Sequence, residues 1–155
     1  MVPVDWQYGV VVQALGRSPR QRILDECERR GSDAVVRGCV DLLNGRVVDD
    51  EFIVALGGAP AVHVLAGFEG GRKGYWPRVW AARGLLHVWA VSATPDIIRA
   101  TSDSSWRVRE MAAKVVARHT VDDALDAVVA LRQDGVPRVR TAAERAVIGL
   151  ANADH

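Results

Sequence analysis

The chain has 155 residues, 49% of them apolar and 25% charged, with a net charge of +1 at pH 7. That balance belongs to a globular domain with a sizeable core, not to a disordered tail or a strongly polybasic nucleic-acid binder. No apolar run approaches the ~20 residues needed to span a bilayer, and the N-terminus lacks a basic stretch followed by an apolar leader. A cytoplasmic protein is the expectation.

Trp6 to Leu15 is a short apolar segment, stopped by Gly16. Ser18 then has the chemistry of a helix cap and Pro19 that of a first helical position, predicting a helix to about Arg30 with Ile23, Leu24 and Cys27 on one stripe. Gly31 ends it. Ser32 or Asp33 is expected to cap a third helix, Ala34 to Leu43, which stops at Asn44-Gly45. Asp49-Asp50 opens a fourth, with acids at its positive end, and Gly57-Gly58 closes it. Ala59 to Phe68 makes a fifth. Cys27 and Cys39 fall inside these helical patterns without CxxC spacing, so both read as reduced structural thiols.

Glu69-Gly70-Gly71-Arg72-Lys73-Gly74 reads as a surface loop, with three glycines in six residues. Helices then follow over Tyr75 to Trp89, from Thr94 as cap to about Thr101, from Asp103 or Ser104 to His119, over Val121 to Gln133, and from Val136 to about Ala151. No strand pattern competes. Ten helices in antiparallel pairs predict an all-α, right-handed α-solenoid of about five pairs. The whole chain, 1–155, is expected to form one repeat domain, clearest over 75–151 and divergent over 5–68.

One pattern recurs three times in the second half. The copies are Tyr75-Trp76-Pro77-Arg78-Val79-Trp80-Ala81-Ala82, Ser105-Trp106-Arg107-Val108-Arg109-Glu110-Met111-Ala112-Ala113 and Val136-Pro137-Arg138-Val139-Arg140-Thr141-Ala142-Ala143. A spacing of roughly thirty residues points to stacked helical units. In the last two copies Asp103 and Asp134 each precede the central valine by the same interval. Val108, Met111, Ala112, Val115 and Val116 form one apolar stripe, and Val139, Ala142, Ala143, Ala146, Val147 and Leu150 another.

This Asp-x4-Val-Arg pattern, followed by small residues, resembles the HEAT repeat, especially the short bacterial type also found in bilin lyases of light-harvesting systems. A bacterial source also fits the arginine bias, since only Lys73 and Lys114 among the 20 basic residues are lysine. The resemblance implies a ladder between repeats built by Asp103 with Arg109 and Asp134 with Arg140. The copy at Val79 departs from it, with Gly74 in the aspartate position and Trp80 in the arginine position. In such arrays the first helix of a pair usually lies on the convex side, so the resemblance turns the helix at 75–89 outward or against a neighbouring unit.

Candidate binding residues cluster on that helix. Trp76, Trp80, Arg83 and His87 share one face, opposite an expected core stripe of Val79, Ala82, Leu86 and Trp89, and Arg99 extends the cationic character. Between Arg72 and Arg118 nine basic residues meet three acids, with four tryptophans interleaved. Such a mixture suits a partner protein, or a nucleic acid through phosphate contact and stacking. The resemblance adds a specific form of the second case, since one family of DNA glycosylases acting on alkylated purines is built of HEAT-like repeats. No catalytic residue can be carried over from it. His63, His87, His119 and His155 are scattered without metal-ligand spacing, and no nucleophile elbow or P-loop occurs. The expectation is a non-enzymatic scaffold or adaptor that binds another protein, without cofactor or metal, with nucleic-acid binding as the alternative.

Overall fold

The computed structural model describes residues 16–153; the apolar segment from Trp6 to Leu15 and His155 lie outside them. Among the described residues there are nine α-helices, three 3₁₀ turns and no strand. No helix among them is long and apolar enough to cross a membrane. The chain divides into two compact units, one ending at Val88 and the other beginning at Trp89.

The first unit opens with α1 (Pro19–Arg30). Its cap is reciprocal: Ser18 Oγ accepts from the Gln21 amide, and the Gln21 side chain accepts from the Ser18 amide. The next helix, α2 (Ser32–Leu43), has Gly31 at its cap position, so Ser32 stands inside the helix and neither Ser32 nor Asp33 makes the expected side-chain cap. Next, α3 (Asp50–Gly57) is buried from Phe52 to Gly57. Asp49 caps it by accepting from the Phe52 amide at 2.8 Å, while Arg30 grips the same carboxylate at 2.7 and 2.8 Å. That grip holds the Asp49 carboxyl below the usual carboxylate range. Beside it, burial pushes the Glu26 carboxyl up against the opposing pull of Arg29 and Arg30. After α4 (Ala59–Leu65), a 3₁₀ turn (Gly71–Lys73) places Arg72 in an ion pair with Asp50.

The last helix of this unit, α5 (Trp76–His87), packs against α1, α2 and α3. A helix covered on several sides has no single apolar stripe. Val79 and Ala82 are buried, as are Trp80 and Leu85, whereas Leu86 is only half-buried. The expected stripe through Leu86 is therefore corrected to Leu85, and Trp80 joins the core. Glycines make the contacts close: a Cβ at Gly84 would lie 3.0 Å from Cys39 Sγ, and one at Gly57 would lie 2.6 Å from the Trp80 ring. Cys39 is a free, buried thiol and Cys27 a free, half-buried one; burial raises the Cys39 thiol pKa.

The second unit starts with a 3₁₀ turn (Val91–Ala93), and α6 (Thr94–Ala100) follows directly. Thr94 is thus inside the helix rather than its cap. The long helix α7 (Trp106–His119) begins later than expected, after Ser105. The predicted helix from Val121 resolves into a 3₁₀ turn (Asp122–Ala124) and α8 (Leu125–Leu131), and α9 (Pro137–Ala153) closes the unit. Val108, Ala112, Val115 and Val116 of α7 are buried, as are Val139, Ala142, Ala143 and Ala146 of α9, and the two helices pack together. Alanines at these positions let the backbones approach.

The linkers before α7 and α9 repeat one geometry. Asp103 Oδ1 accepts from the Ser105 amide at 2.8 Å, and Asp134 Oδ1 from the Val136 amide at 2.9 Å. Arg109 donates to the Asp103 carbonyl at 2.9 Å, and Arg140 to the Asp134 carbonyl at 2.8 Å. Arg109 then forks onto the next repeat's aspartate, with Nε–Oδ2 of 2.8 Å and Nη2–Oδ1 of 3.2 Å to Asp134. The side-chain rung thus joins consecutive repeats, while each arginine meets its own repeat's aspartate through the main chain. At the deviant copy, Arg78 donates to the Gly74 carbonyl at 3.2 Å.

Candidate binding site

A cavity of about 380 Å³ opens in the first unit. Its floor is made where α3 ends: Gly57 has no side chain, so the Trp80 ring lies directly against its backbone. Pro60 and Val64 of α4 form one wall. Trp76, Trp80 and Arg83 of α5 form the other, because positions four and three residues apart share a helix face. Trp76 and Trp80 stack with ring centroids 6.1 Å apart. His63 and Glu69 complete the lining and are exposed, with His63 stacked at 4.3 Å on Phe68.

The polar element inside is Arg83. Its Nη2 donates to the Leu56 carbonyl at 2.9 Å. Arg22 reaches the same end of α3, donating to the carbonyls of Ala55 at 3.0 Å and Leu56 at 3.3 Å, and to that of Arg17 at 2.8 Å. Both guanidiniums therefore sit on the negative end of a helix, where the last carbonyls lack intrahelical partners. Burial lowers the pKa of each, and the charge of Arg22 lowers that of Arg83 further. Both remain protonated at physiological pH. Neither makes an ion pair with a carboxylate among the described residues.

Of the five binding candidates in the sequence, the structure brings Trp76, Trp80 and Arg83 together in this cavity. Trp80 is only 4% exposed, so it is a wall and part of the core rather than an exposed anchor. Trp76 is half-buried at the opening. His87 lies on α5 but does not line the cavity. Arg99 is exposed on α6 of the second unit and pairs with Asp96 at 3.3 Å. Pro60, His63, Val64, Glu69 and Arg22 escaped sequence reasoning. The double glycine at 57–58 was the available signal, since it marks a place where another group can approach the backbone.

In the second unit a different cluster surrounds Trp106. The guanidiniums of Arg107 and Arg138 lie 4.5 and 5.4 Å from its ring centroid. The buried Glu110 carboxylate holds Arg138 at 2.9 Å and Lys114 at 3.8 Å. One carboxylate thus serves two of these three cations. Among the described residues no three His, Cys, Asp or Glu side chains gather as a metal site.

Residues 75–148 match the sequence model of the family described as HEAT repeats. This part of the chain is built of HEAT repeats. The matched region takes in all three valine-centred copies, the Arg109–Asp134 rung and α5, whereas α1 to α4 lie outside it. A search of curated proteins finds no match. HEAT repeats commonly mediate protein–protein interaction.

Proposed function

We propose that this HEAT-repeat protein is a non-enzymatic adaptor that binds another protein through the cavity at Trp76, Trp80 and Arg83. The observation that supports it is the cavity itself, apolar on two walls and carrying one guanidinium that no carboxylate of the described residues pairs. Apolar pockets with a few placed polar groups are where binding energy concentrates, and aromatic and arginine side chains are its usual anchors. Trp76, Arg83 and His63 are the residues that would meet the partner, with Trp80 shaping the wall behind them.

The basic stretch between Arg72 and Arg118 supports nucleic-acid binding less well. Four of its nine cations are paired with carboxylates inside the chain: Arg72 with Asp50, Arg99 with Asp96, Arg109 with Asp134 and Lys114 with Glu110. A photo-crosslinking residue in place of exposed His63, compared with one in place of Val47, which is 93% exposed, tests the adaptor reading. A discrete protein adduct formed in cells only from position 63 is expected. Absence of any such adduct, together with salt-sensitive DNA binding that disappears in an Arg78, Arg83, Arg99 triple alanine variant, would replace this reading with the nucleic-acid one.

A further inference from the structure

We propose that the cavity beside Trp76 receives a single acidic side chain, carried next to a large apolar one on a segment of the partner protein. The inference rests on the adaptor reading and adds the chemistry of the occupant. Arg83 offers five N–H donors, of which one meets the Leu56 carbonyl. Arg22 shares that carbonyl, so two like charges converge with no carboxylate of the described residues paired to either. At the opposite end of α3, Arg30 holds both Asp49 and Glu26. An incoming carboxylate gains charge-assisted hydrogen bonds from Arg83 and relieves the repulsion between the two guanidiniums.

The walls decide what accompanies the acid. Pro60, Val64, Trp76 and Trp80 present apolar surface, and about 380 Å³ accommodates side chains rather than a whole folded element. Exposed Glu69 on the lining disfavours a second negative charge, and with it a run of phosphates. A Glu or Asp flanked by Leu, on an otherwise uncharged segment, is the complementary sequence.

The test titrates the isotope-labelled full chain with N-acetyl-Leu-Glu-Leu-amide and with its Gln counterpart, following the Trp76 indole N–H. The Glu peptide is expected to shift this resonance and to bind at least about tenfold more tightly than the Gln peptide, as befits a charge-assisted contact. In Arg83→Gln that preference should vanish. Glu69→Gln changes only an exposed side chain, and should tighten the Glu peptide about twofold while leaving the Gln peptide unchanged. Equal affinities overturn the proposal, as does a preference that survives in folded Arg83→Gln. So does an unmoved Trp76 resonance at roughly 5 mM peptide, several times the millimolar Kd of a weak fragment. If the peptides fail while position 63 still cross-links to a protein, the adaptor reading stands and the occupant's chemistry is wrong. If the Glu peptide binds and no protein cross-links, the carboxylate site is real and the adaptor reading falls.

Discussion

Asp134 does two things with its carboxylate and a third with its main chain. It accepts the Arg109 fork, it accepts the Val136 amide ahead of α9, and its own carbonyl takes Arg140. The Arg109 hydrogen bond leads in holding its carboxyl below the usual range. A carboxyl depressed in the folded state adds stability above its unfolded pKa, and that stability is lost as pH falls toward the folded value. Asp134→Asn should accordingly cost about 1.5–3 kcal/mol at pH 7, the range for hydrogen bonds to charged groups. The gap in melting temperature between wild type and variant should hold steady down to about pH 5 and shrink below roughly pH 4, where unfolded aspartates protonate. A gap independent of pH would assign the loss to packing instead.

Two glycines on helices test how each element is covered. Gly57 closes α3 under the Trp80 ring, where an added Cβ would meet ring carbons at 2.6 to 2.8 Å. Gly149 lies within α9 with open space around it. Gly57→Ala should destabilise by about 1–3 kcal/mol through overpacking, despite the better helix propensity of alanine. Gly149→Ala, free of any clash, should stabilise by roughly 0.5–1 kcal/mol. Chemical denaturation of both variants reads the two signs. The same sign at both positions would show that Trp80 can move aside, which would make the cavity wall deformable.

At the scale of the whole molecule, the chain forms two compact units, each with buried apolar side chains. In the second, α9 covers the apolar face of α7 that includes Val108, Ala112 and Val115. One helix pair cannot bury such a face alone, which is the reason repeat units stack. Removing residues 136–155 should expose that face, raising binding of a hydrophobic dye and driving self-association in sedimentation. A truncated chain that stays monomeric with unchanged melting would mean that α9 contributes little to the core. On its outward side α9 carries the exposed Arg138, Arg145 and Asn152, with Arg138 also tied to Glu110.

Much of the architecture lies in local chemistry, and local chemistry is written in sequence. The three valine-centred copies, the caps at Ser18 and Asp49 and the stripes of α7 and α9 follow from periodicity and from backbone groups satisfied within a few residues. The face shared by Trp76, Trp80 and Arg83 follows from helical spacing alone. How deeply that face is covered does not, because spacing says which residues are neighbours and not how many other helices arrive. Only the packing of α5 against α1, α2 and α3 buries Trp80 and replaces Leu86 by Leu85 in the core. Likewise Arg22 and Arg83, remote in the chain, meet on the Leu56 carbonyl because tertiary structure brings two helices to the end of a third. That meeting sets two positive charges at one helix end, with no carboxylate partner among the described residues, and no local pattern could have announced it.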